Sequence, residues 1–147
     1  MKWPSNRREE SRALQEWVQS QPVMYTTKTF VRSRSQRLGN SWANRYTWVS
    51  WNNRHSDVPR LVVRTRGVEV SAPQGMLLER RSFFFSAEAA TMWRDRIGWA
   101  GTPLGRRDCI RLRFDDPIEL ALTPDSGVEE AWQALVNAGV RPVTGRD

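Results

Sequence analysis

The chain has one cysteine and one histidine in 147 residues, and each scarcity closes off a class of chemistry. Cys109 has no second cysteine for an intramolecular disulfide, which fits a reducing compartment better than a secretory one. One histidine and one cysteine are too few for a zinc site, which draws several such ligands at set spacings. Serine or cysteine catalysis of the imidazole type would have to use His55. That residue lies in a polar stretch beside Asn53 and Arg54, the setting of an exposed loop histidine. Neither GxGxxG nor GxxxxGK followed by Ser or Thr occurs, so no phosphate-cradling loop is read. No apolar run approaches the roughly 20 residues needed to span a bilayer. The charged opening, Met1 to Glu10, lacks the apolar segment of a signal peptide. Together these absences predict a soluble, cytoplasmic binder rather than an enzyme, with no cofactor and no metal.

Lysine is also rare. Of 23 basic residues 21 are arginine, and the formal charge is +7. Genome composition could produce that skew. So could selection for a planar fork that pairs with phosphate or carboxylate and stacks on aromatic rings. Distribution says more than the total. Forty residues between Glu16 and Asp57 contain no acid, yet carry Lys28, Arg32, Arg34, Arg37, Arg45 and Arg54 interleaved with seven aromatic residues. From Asp115 to the end the balance inverts, with 2 basic against 7 acidic residues.

The length fits one domain, 1–147, able to bury roughly two-thirds of its unfolded surface. Within a block 1–21, Asn6 and Glu9 resemble a capping box, and Ala13, Leu14, Trp17 and Val18 recur at helical spacing, predicting a helix from about Arg7 to Gln19. Residues 22–123 read as an antiparallel sheet region. Pro22 to Arg34 separates Val23, Tyr25, Thr27, Thr29 and Val31 from Lys28, Phe30, Arg32 and Arg34 on the opposite face. A turn at Leu38 to Asn40 leads to a second strand, Ala43 to Arg54, pairing with the first as a hairpin. Further strands are predicted at Arg60 to Arg66, Val68 to Ala72, Met76 to Phe85, Asp108 to Phe114 and Ile118 to Thr123. A helix is predicted over 87–97, with Ser86 as its cap and Ala89, Trp93 and Ile97 on one face. The C-terminal helix, 124–140, has Ser126 and Glu129 as a capping box, the stripe Val128, Ala131, Trp132, Leu135 and Val136, and Gly139 as its stop. A tail, 141–147, follows.

The fold class is therefore α+β: antiparallel sheets or a partly open barrel of about seven strands, a C-terminal capping helix and one or two extra helices. Trp17, Trp93 and Trp132 lie on helix stripes and are assigned to the core. Trp48 and Trp51 fall on opposite faces of one strand, so one of them points away from the core among arginines. Cys109, in an apolar-flanked strand, reads as a buried small hydrophobe. Candidate binding residues are Lys28, Phe30, Arg32, Arg34, Arg37, Arg45, Trp48, Trp51 and Arg54. Aromatics beside cations on a sheet suit nucleic acid, where rings stack on bases and cations follow the backbone.

Seven strand candidates followed by a capped helix bearing Trp132 resemble the pleckstrin-homology-like fold, in which two antiparallel sheets are closed at one end by such a helix. That resemblance implies an adaptor role, with an acidic protein surface or an anionic lipid headgroup as partner. Lys28, Arg32 and Arg34 are similar in type to the basic residues of its lipid-binding members, but fall on one strand instead of across the hairpin turn. A third reading is a small basic nuclease or toxin using His55 with arginines.

Overall fold

Thirteen residues rich in β-branched side chains, Val23–Ser35, form β1, the longest strand of the computed structural model. Residues 12–35, 49–50, 59–74, 79–98, 106–114 and 118–144 are described. The other strands are β2 (Val49–Ser50), β3 (Arg60–Arg64), β4 (Gly67–Gln74), β5 (Glu79–Ser86), β6 (Ala90–Gly98), β7 (Arg106–Phe114), β8 (Ile118–Pro124) and β9 (Arg141–Pro142). They make one curled half-barrel in the order β5-β4-β3-β1-β8-β7-β6-β9, with β2 paired to β1 off that path. Two helices accompany the sheet: α1 at residues 12–19 and α2, Val128–Ala138.

Strand β1 belongs to three ladders, the short one with β2 and two longer ones. Its first half pairs with β3 up to Lys28↔Arg60, and its second half pairs with β8 from Thr29↔Pro124 onward. The inward alternation of the strands supplies the core. Val31, Leu61, Val63, Val68, Val70, Met92, Ile110, Leu112, Leu120 and Leu122 are buried there, and α2 adds Ala131, Leu135 and Ala138. Each large apolar side chain among them contributes about 1.5–3 kcal/mol by leaving water. Phe114 of β7 meets Phe83 and Phe85 of β5 edge-on, with ring centroids 5.1 and 4.7 Å apart. Those strands stand far apart in the sheet order, so these contacts cross the interior and measure the curl.

The segment expected as a helix over 87–97 is instead a single 3-10 turn, Ala87–Ala89, followed by β6. Residues spaced by four share a face in a strand as well as in a helix, so Ala89, Trp93 and Ile97 could not discriminate. The neighbours decide. Ala90 and Met92 are buried on the core side, and β6 pairs with β7 over nine positions from Ala90↔Phe114 to Gly98↔Arg106. Ser86 makes no capping bond.

Other expectations shift by smaller amounts. Strand β3 stops at Arg64 rather than Arg66, a bend at 65–66 follows, and Gly67 opens β4 rather than standing as a break between strands. At α2 the cap is Gly127 at φ +102°, with no side-chain hydrogen bond. Ser126 and Glu129 do not form a capping box: the Ser126 hydroxyl bonds the Tyr25 hydroxyl, and Glu129 turns to Arg94. The stop at Gly139 is as expected. Its φ is +119°, and N–H groups of Gly139 and Val140 bond the carbonyls of Val136 and Leu135 at 3.0 Å each. Such a closure requires the left-handed backbone that glycine tolerates. Arg141 and Pro142 are no free tail: they lie parallel to Thr91 and Met92, and the Val143 N–H bonds the Met92 carbonyl at 2.8 Å.

Helix α1 packs on the outward face of the sheet through Val18, which is fully buried. Trp17, assigned to the core from its spacing, is 42% exposed. A Cβ on Gly67 would stand 2.9 Å from a Val18 methyl, so only glycine lets α1 approach β4 this closely. Arg64 secures the helix end, donating to the Gln21 carbonyl at 2.7 Å. Gly67→Ala is expected to lower stability by about 1–3 kcal/mol through overpacking. Adding Val18→Ala should recover part of that loss in denaturant titrations, since it vacates the contested space.

Candidate functional site

Outward positions of β1, β8, β7 and β6 carry the charged groups. Lys28 is exposed, and Phe30 and Arg32 are half-buried, all three on the β1 face opposite buried Thr29 and Val31. Arg34 stands opposite Glu119 in the ladder. Ser50 pairs with Arg32 and Val49 with Ser33, so the chain returns antiparallel beside β1. Arg37, Arg45, Trp48, Trp51 and Arg54 lie outside the described residues. Of the nine candidates, the structure thus gathers Lys28, Phe30 and Arg32 on one face.

Several partners on this face were missed in the sequence. Arg60 stands directly opposite Lys28 across the β1–β3 ladder. The Arg107 guanidinium lies 5.9 Å from the Phe30 ring centroid. Trp93, only 3% exposed, is buried beneath Arg111 and Arg113, whose guanidinium carbons lie 4.9 and 5.0 Å from its ring. It is a covered outward residue, where a core helix position was expected. Alternation within Arg106–Phe114 puts Arg111 and Arg113 on the outward side, opposite buried Ile110 and Leu112. Their acids were hidden, because Asp95 sits in the segment expected to be helical.

Arginines of this face differ in whether the protein neutralises them. Arg111 donates to Asp95 at 2.8 Å and pairs with Glu119 at 3.3 Å, and Arg113 reaches the same Glu119 at 3.2 Å. The Arg111 and Glu119 side chains are only 11% and 8% exposed. An ion pair removed from water to that degree must satisfy itself internally, because stripping one partner leaves an uncompensated charge. Lys28, Arg60 and Arg107 form no ion pair among the described residues. They are the cations of the face with charge to spare.

A cleft of about 810 Å³ opens where β6 and β7 run past β8, beside the start of α2. It arises because the β6–β7 ladder continues to Gly98↔Arg106, whereas β7 meets β8 only from Ile110↔Leu122. Its walls carry Arg94, Arg96, Arg107 and Asp108 on one side, and Thr123, Asp125 and Glu129 on the other. Arg94 engages Glu129 with both guanidinium nitrogens, one at 2.9 Å, and rests 4.8 Å from the Trp132 ring. Hydrogen bonding to Arg94 holds the Glu129 carboxyl below its ordinary range and raises the guanidinium in return. Arg96 pairs with Asp108 at 3.0 Å. The cleft is therefore largely neutralised from within. Among the described residues no cluster of three or more His, Cys, Asp or Glu is placed to hold a metal ion.

Cys109 lies on the outward side of β7, fully buried, as its reading as a small hydrophobe expects. Burial first, and Asp95 second, push its thiol from 9.0 to about 12, against the opposing pull of Arg111. No known family model, curated protein or solved structure matches the chain.

Two outcomes follow. Glu119→Ala should destabilise by about 1–3 kcal/mol in chemical denaturation, since Asp95 still compensates the buried Arg111, and by more than Asp108→Ala, whose pair with Arg96 is exposed. The Cys109 thiol should resist aromatic disulfide reagents at pH 8 in the folded protein and react once unfolded. Since burial favours its neutral form, its share of stability is complete below about 9 and declines as pH rises toward about 12.

Proposed function

We propose that the protein is a non-catalytic binding domain whose outward β1 face engages a polyanion, specifically nucleic acid. The observation that carries this reading is the Lys28–Arg60 pair. Two exposed cations stand directly opposite one another on neighbouring strands, and neither forms an ion pair among the described residues, although Asp125 lies beside Lys28 on the β8 flank, its N–H bonding the Lys28 carbonyl at 2.9 Å. Like charges so placed are destabilising, and a phosphate between them would remove the penalty. Phe30 and Arg107, two residues along β1 from Lys28, extend the patch with a ring and a further unpaired cation. Binding of this kind works by neutralising phosphates and releasing counterions, so it weakens linearly in log salt.

Strand order supports a second reading. One meander, β3-β4-β5, and another, β8-β7-β6, are joined through β1, with α2 packed against the shared core. That arrangement accords with a pleckstrin-homology-like adaptor, for which the same cations would meet an acidic protein surface or an anionic lipid headgroup.

Fluorescence anisotropy with labelled oligonucleotides across a salt series tests the first reading. Lys28→Ala and Arg60→Ala should each reduce the salt slope by about 1. Their melting temperatures should equal or exceed that of the parent, because either change relieves the opposed charges. Absence of binding at low salt, or a flat salt dependence, would sink the proposal. Anionic vesicles that displace the oligonucleotide would shift the assignment to the second reading.

A further inference from the structure

The half-barrel ends at β5, which has β4 on one side and, among the described residues, no strand on the other. Its second half reads Ser82-Phe83-Phe84-Phe85-Ser86, a palindrome about Phe84 that carries no charge. Natural sheets protect long edges with charges, prolines or bulges, and the first three residues, Glu79, Arg80 and Arg81, follow that rule. The Ser82–Ser86 stretch does not. Its backbone is also held firmly from behind: Phe83 and Phe85 pack on Phe114 inside the half-barrel, leaving Phe84 half-buried on the outward side opposite Glu69.

We infer that the β5 edge pairs antiparallel with the β5 edge of a second copy of this chain, about a two-fold axis through Phe84. A two-fold contact must be self-complementary, since each residue i meeting j requires j to meet i. Under this axis the palindrome meets itself: Ser82 stands opposite Ser86 of the second copy, Phe83 opposite Phe85, and Phe84 opposite Phe84. Every pair joins residues of the same face, as continuous sheet alternation demands. Aromatic cross-strand pairs are among the favourable ones. The same axis places Glu79, Arg80 and Arg81 beyond the paired stretch, so their charges are not set against each other. Axes centred on Arg80 or Arg81 would oppose like charges. Five residues is an ordinary strand length, sufficient for a ladder. This surface is separate from the Lys28–Arg60 patch and does not rest on the nucleic-acid reading.

Sedimentation equilibrium over a concentration series, with two variants, tests the pairing. The parent should approach twice 17.1 kDa as concentration rises. Added salt should favour the dimer by screening the +7 charge of each copy, opposite to its effect on nucleic-acid binding. Phe84→Lys, which sets two ammonium groups across the axis, should sediment as a monomer with a cooperative melt. Phe84→Cys should form a disulfide-linked dimer on mild oxidation, because opposed residues on antiparallel strands lie within disulfide reach. Thr65→Cys, exposed but away from the edge, should not. A parent that stays at 17.1 kDa up to its solubility limit overturns the inference, as does a dimer in which Phe84→Cys links no faster than Thr65→Cys. Cross-linking decides the matter if Phe84→Lys fails to fold.

Discussion

The shape and the surface chemistry of this protein both depend on one strand, β1, that joins two meanders. Val23 to Lys28 is held by β3, and Thr29 to Ser35 by β8. A strand shared in this way must carry the sheet's twist from one meander into the other, and the right-handed twist of successive strands accumulates into curl. The curl brings Phe114 against Phe83 and Phe85 and leaves an interior that α2 fills with Ala131, Leu135 and Ala138. Outside, the same exchange of partners puts Lys28 at the last position of one ladder, opposite Arg60, and Phe30 within the next. The Lys28–Arg60 pair sits where the β3 ladder ends and the β8 ladder begins.

The arginines fall into two populations with different physics. Arg111 and Arg113 are drawn over Trp93 and neutralised by Asp95 and Glu119, with Arg111 and Glu119 in surroundings dry enough that their charges need each other. Weakly hydrated guanidinium suits that role, since its plane stacks on the indole while its edges bond carboxylates. Arg94 does the same at the surface, between Trp132 and Glu129. Lys28, Arg60 and Arg107 form no ion pair among the described residues. Part of the arginine excess is thus used in holding the outer sheet together.

Much of this was legible in the chain itself, with identifiable gaps. The β1 alternation correctly set Thr27, Thr29 and Val31 inward and Lys28, Phe30 and Arg32 outward, because a period of two has a single reading. Gly139 was recognisable as a helix stop because few residues accept its backbone angle. The 87–97 segment misled because a spacing of four is common to strand and helix, and this concealed Asp95 as the partner of Arg111. Ser126 and Glu129 had the spacing of a capping box, yet Tyr25 and Arg94 compete for them from elements more than thirty residues away. Local pattern cannot register a distant competitor.

Composition and alternation alone determined an antiparallel, mostly β domain with a capped C-terminal helix, an outward basic face on β1 and a buried thiol at Cys109. Those properties follow from the periodicity of single elements and the turn chemistry beside them. Only the tertiary structure decided which cations are spent internally and which stand uncompensated, and that Arg60 faces Lys28. Charge pairing depends on register between strands distant in sequence, and register is set by the packing of the whole sheet.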